Sequence, residues 1–156
     1  MAILEIKTDG AEVLRQIAGE VTAFDPTLWR LLDDMKDTMY KLQGVGIAAP
    51  QVGVSLRAIV LDCEDEKRGL MELINPVITR TWGECTDSEG CLSVPDWYGK
   101  VKRAERITCE YYNRRGKKQR ITTTGLLGRC IQHEIDHLNG ILFTDTATDL
   151  EKREKK

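Results

Sequence analysis

Apolar side chains recur at helical spacing from Leu28 onward: Leu28, Leu31, Leu32, Met35, Met39 and Leu42 fall on one stripe. Asp25 is placed to cap this helix, Pro26 suits its first turn, and Gly44 ends it. Two short apolar runs follow, Ala58 to Leu61 and Leu70 to Ile74. Both read as strands, the second stopped by Asn75-Pro76. A hairpin is predicted over Ile107 to Thr123, with Asn113 to Gly116 as its turn. A second helix runs from about Gly125 to Asn139, with Gly140 as its stop. This order predicts an α+β fold in which short, mostly antiparallel sheets pack around the second helix. No repeat, low-complexity tract or linker interrupts the chain, so residues 1–150 are expected to form one compact domain. Residues 151–156 are all charged and read as a frayed tail.

Composition narrows the class. The 156 residues are 41% hydrophobic and 31% charged, a balance that excludes a disordered or collagen-like chain. The apolar runs fall far short of the roughly 20 residues that span a bilayer, so no membrane role is expected. A net charge of -2 conceals an uneven distribution. Residues 1–99 hold nine basic and 17 acidic residues, whereas Lys100 to Arg120 holds nine basic and two acidic. That basic segment reads either as a solvated hairpin face or as a docking surface for a ribonucleoprotein such as the ribosome; a DNA partner is not expected. Five cysteines without a C-x-x-C pair point to reduced thiols. With no basic-then-apolar leader at Met1 to Ile6, the expected compartment is the cytoplasm.

The strongest chemical signal is Gln132-His133-Glu134-Ile135-Asp136-His137 on the second helix. Histidines at i and i+4 share a helix face and reach one metal ion, and the glutamate between them is placed to act as a general base. These are the only two histidines in the chain, so a third ligand must be a thiolate or a carboxylate. Cys130 lies one turn before His133, about 7 Å along the axis from an ion held between the two histidines, which is beyond a cysteine's reach. It reads as a core or pocket-wall residue. Cys63 and Cys109 sit in or beside strands, as small buried hydrophobes do. Cys91 stands in the distinctive segment Glu89-Gly90-Cys91-Leu92-Ser93, and Cys85 remains open. A third segment, Gly44-Val-Gly-Ile-Ala-Ala-Pro-Gln51, lacks the ending of a phosphate loop. Its small residues would let another main chain lie alongside, although a tight helix exit explains them equally well.

Taken together, in order and at these separations, the three segments resemble those of peptide deformylases, and the likeness extends over nearly the whole chain. The resemblance implies that Cys91, His133 and His137 hold one divalent ion, usually Fe(II), with Ni(II), Co(II) or Zn(II) able to occupy the same site. It implies Glu134 as the base, and Gln51 and the Leu92 backbone N–H as oxyanion donors, in removing formyl from N-formylmethionyl peptides. It further implies that Val45, Gly46 and Ile47 on one side and Tyr98 and Gly99 on the other hold the peptide backbone, beside a pocket that includes Cys130. Tyr98, Asp87 and Arg129 depart from common family members, and the last two are placed to pair at the pocket rim. The rival readings are another H-E-x-x-H peptidase or amidase, and a metal-binding module without activity.

Overall fold

The computed structural model describes residues 3–63 and 69–152. Helix α1 (Pro26–Lys41) begins where expected, with the Asp25 carboxylate accepting from Leu28 N at 3.1 Å. Its buried face, Leu28, Leu32, Met35 and Met39, packs on β1 (Gly46–Ala48) and β2 (Ala58–Asp62) through Ile47, Ala58 and Val60. Strand β3 (Leu70–Trp82) does not stop at Asn75-Pro76. Asn75 instead takes a φ of 51° within a register shift between Ile74 and Val77. Its side chain accepts from Val21 N and donates to Val21 O, both at 2.9 Å, so the irregularity is hydrogen-bonded to a neighbouring segment and the strand continues.

Strands β4 (Cys85–Cys91) and β5 (Val94–Arg103) form a polar ribbon, and the expected hairpin follows as β6 (Arg106–Tyr112) and β7 (Lys118–Thr124). Helix α2 (Gly125–Leu138) and β8 (Thr148–Lys152) complete the order. The strands make an antiparallel five-stranded sheet, β1-β2-β3-β6-β7, and a three-stranded sheet, β4-β5-β8. Glu151 and Lys152, which the run of charge had assigned to a frayed tail, pair with Tyr98 and Trp97; residues 153–156 lie outside the described residues.

Helix α2 lies between the sheets because it carries two working faces. Leu127, Ile131 and Leu138 join Ile59, Leu73 and Ile107 in the core beneath the five-stranded sheet. A polar row anchors the helix to the chain between β5 and β6. Gln132 both accepts from Ala104 N and donates to Ala104 O at 3.0 Å, and Asp136 accepts from Arg103 at 2.8 Å. Gly140 closes the helix at a φ of +76°, and a Cβ there would lie 2.6 Å from Arg15 O. Gly140→Ala is therefore expected to cost about 2 kcal/mol, lowering Tm by about 5 °C. Gly10→Ala, at a φ of +105° but with open space around it, should cost about half as much in the same thermal melts.

Candidate metal centre

Three side chains from two elements converge at the end of a cleft. His133 and His137 project from α2 one turn apart, and Cys91 stands at the end of β4, where the register shifts between Gly90 and Cys91. Their ligand atoms lie within 4.8 Å of one another, with Cys91 Sγ 3.3 Å from His137 Nε2. In a tetrahedral site built from metal–sulfur and metal–nitrogen bonds of ordinary length, ligand atoms stand about 3.5 Å apart, so a thiolate and two imidazoles fit a single ion here. Cys85 is exposed at the far end of β4. Of the two thiols, Cys91 is the one that lies beside both histidines.

The surrounding groups fix the ligands. Glu89, buried two residues before Cys91, accepts from His133 Nδ1 at 2.8 Å, so Nε2 is the His133 nitrogen left for the ion. Arg103 donates to both Glu89 oxygens, at 2.6 and 2.8 Å. Burial alone would raise the Glu89 pKa, but the bonds from Arg103 and His133 outweigh it and bring the carboxyl down to about 2. Burial also disfavours a charged His133, yet its bonds to Cys91 and Glu89 push it up to about 10. Burial and the neighbouring His133 hold His137 well below the usual imidazole range.

Glu134 is buried between these histidines in sequence, and burial pushes its carboxyl up to about 7 against the pull of His133 and Arg103. Its Oε1 has no hydrogen-bond partner among the described residues. A Cβ on Gly46 would meet Glu134 Oε2 at 2.7 Å, which explains why glycine stands where β1 passes the carboxylate. Gln51 is equally fixed: Oε1 accepts from Ala48 N at 2.9 Å, turning Nε2 toward Ser93 Oγ at 3.2 Å and Cys91 Sγ at 3.6 Å.

The cleft has a volume of about 860 Å³, and its lining includes Val45, Gly46, Gln51, Leu92, Tyr98, Cys130, His133 and Glu134. The Ile47 side chain is fully buried under α1, which leaves its backbone for the main-chain pairing expected of it. One expected contact differs. Gly99 turns toward Leu150 and Ala147, and β5 is paired on both sides, Tyr98 facing Gly90 of β4 and Glu151 of β8. The backbone edge available opposite β1 is therefore that of β4, at Ser88 to Gly90, which sequence reasoning missed because this polar run has no strand-like alternation. Leu126 and Trp97, both exposed, also line the cleft. Asp87 does not pair with Arg129: its carboxylate accepts from Ser88 N, while Arg129 turns inward to Glu89.

Residues 3–153 match the family model described as Polypeptide deformylase. The chain belongs to the polypeptide deformylase family. It is 52% identical over 153 residues to a peptide deformylase of Desulfitobacterium hafniense, covering 98% of this chain and all of that one. Peptide deformylase 1 of Bacillus subtilis is 49% identical, covering 92% of this chain and 89% of its own. Among solved structures, a peptide deformylase from Legionella pneumophila superposes with a TM-score of 0.91 at 49% identity, covering 95% of this chain and 88% of that one. One from Synechococcus elongatus, in complex with actinonin, gives 0.90 at 43% identity and covers 96% and 81%. Deformylases are metal-dependent hydrolases that remove the formyl group from nascent polypeptides, and that is the activity of this chain.

Proposed function

We propose that Cys91, His133 and His137 hold one divalent ion at the end of the cleft and that Glu134 is the proton carrier of deformylation there. The convergence of a thiolate and two imidazoles beside a buried, unpartnered carboxylate carries this reading. The ion supplies a Lewis acid and an activated water. Glu134 takes up a proton and delivers it to the leaving amine, while Gln51 Nε2 and the Leu92 backbone N–H donate to the developing oxyanion. The formylmethionyl backbone lies between Val45 and the edge of β1, at Gly46 and Ile47, on one side and the edge of β4, at Gly90, on the other. Its side chain enters the pocket lined by Val45, Leu126 and Cys130, with Tyr98 near the downstream residues. Main-chain pairing reads little sequence beyond methionine, as an enzyme acting on most new chains requires.

The resident ion we propose is Fe(II), replaceable by Ni(II), Co(II) or Zn(II), because this ligand set suits all four. Metal analysis of protein purified without oxygen tests the identity of the ion. Formate release from formyl-Met-Ala-Ser tests the reaction: the metallated chain should release one formate per peptide. Cleavage of internal peptide bonds without formate would favour a different H-E-x-x-H hydrolase.

The working compartment we propose is the cytoplasm, where nascent chains emerge; no helix among the described residues is long and apolar enough to cross a membrane. The basic segment divides in the structure. Arg103 is internal, Arg114 pairs with Glu72 and Asp33, and Lys100 and Lys102 lie on β5, in the other sheet from the hairpin. A ribosome contact is therefore assigned to the exposed hairpin residues Arg115, Lys117, Lys118 and Arg120. Reversing the charges of Lys117 and Lys118 should weaken salt-dependent co-sedimentation with ribosomes. Unchanged sedimentation removes the assignment.

A further inference from the structure

Arg129 lies one helical turn before His133, in a position expected from sequence to be a pocket-rim residue, yet its side chain is only 10% exposed. It makes three hydrogen bonds into the protein. Nη1 donates to Glu89 Oε2 at 2.6 Å and to Val101 O at 2.9 Å, and Nη2 donates to Cys85 O at 2.8 Å. Glu89 thereby accepts four bonds, two from Arg103, one from Arg129 and one from His133 Nδ1. Charge leads to the same place. Arg103 is shared between the carboxylates of Glu89 and Asp136, and Arg129 is the second guanidinium on Glu89.

We propose that Arg129 is a positioning residue for the metal centre, acting through Glu89. By saturating Oε2 and tying the carbonyls of β4 and β5 to α2, it keeps the Glu89 carboxylate turned so that Oε1 meets His133 Nδ1. The imidazole then presents Nε2 in a fixed direction, and β4 carries Cys91 to it. This rests on the reading of His133 and Cys91 as ligands.

The experiment loads the protein with Co(II), follows the thiolate-to-cobalt absorption, and measures the rate at which a chelator removes the ion. Arg129→Gln should release Co(II) about tenfold faster than wild type, because residues that orient a ligand typically govern affinity by that order. Arg129→Lys, which keeps the charge, should stay within about threefold of wild type. In a Glu89→Gln background, Arg129→Gln should add less than about twofold, since its route to the metal is already cut. If Arg129→Gln does not fold, Arg129→Met carries the same expectation. Release at the wild-type rate with a lowered Tm would show a structural tether and overturn the proposal, as would an equal effect in the Glu89→Gln background. A wild-type chain without the thiolate-to-cobalt band would instead refute the ligand assignment, so the two failures are distinguishable.

Discussion

Glu134→Gln is expected to lower kcat by about 10³-fold while leaving KM and metal content near wild type. The two side chains have nearly the same volume, so the buried site at 5% exposure tolerates the exchange, and the three ligand side chains are untouched. What is lost is a carboxylate able to carry a proton, and positioned acid–base groups contribute about 10²- to 10⁴-fold. A metal-binding module without activity would show no such asymmetry between retained metal and lost turnover. The pH profile supplies an independent check. Burial holds the Glu134 carboxyl at about 7 in the protein alone, and a divalent ion beside it favours the charged form and draws that value down. The base must be deprotonated to act, so kcat/KM should fall as pH drops through a value below about 7. Measured kcat and KM, metal content by atomic spectroscopy and the pH profile decide the matter together; full activity in the Gln variant would exclude Glu134 as the proton carrier.

How far this site could be read before the fold was known depends on where each part's information resides. The two histidines and Glu134 lie on one helix, where spacing dictates geometry, so their meeting was legible. So were the first helix, from Asp25 and Pro26, and the hairpin turn at Asn113 to Gly116, since each is a local device. Cys91 was different. Its approach to His137 depends on the ribbon of β4 and β5 folding over α2, a long-range event that no spacing encodes, and only the family resemblance separated it from Cys85. The three-stranded sheet was the least visible element: Cys85 to Cys91 and Thr148 to Lys152 are polar and carry none of the alternation that marks a half-buried strand. Missing this sheet had two consequences. It left Gly99 as the backbone partner for the peptide when β5 has both edges taken, and it left Glu151 and Lys152 in a tail. Arg103 was read as part of a surface charge pattern, and Arg129 as a rim partner of Asp87, for a related reason. Sequence shows their sign but not the buried carboxylate that draws them inward.

Cys91→Ala is expected to leave less than about a tenth of an ion per chain and no measurable formate release, whereas Cys85→Ala should retain both. Two imidazoles remain in the variant, but they form only one edge of the ligand set, and the thiolate is the anionic member that the ion's charge favours most. The loss should also register in stability. An ion present at about 1,000 times its dissociation constant stabilises the folded chain by about 4 kcal/mol, which for a domain of this size corresponds to roughly 10 °C in Tm. Chelator added to wild type should therefore lower Tm by that amount, and the same chelator should have no effect on Cys91→Ala. The apo form of that variant should melt close to the wild-type apo form. Only the Sγ has been removed, at a position where Val94, Val101, Leu142 and Phe143 already pack as a small core. A Cys91→Ala protein whose Tm still falls with chelator would show that the ion is held elsewhere. A Cys85→Ala protein that loses its ion would reverse the assignment of the two thiols.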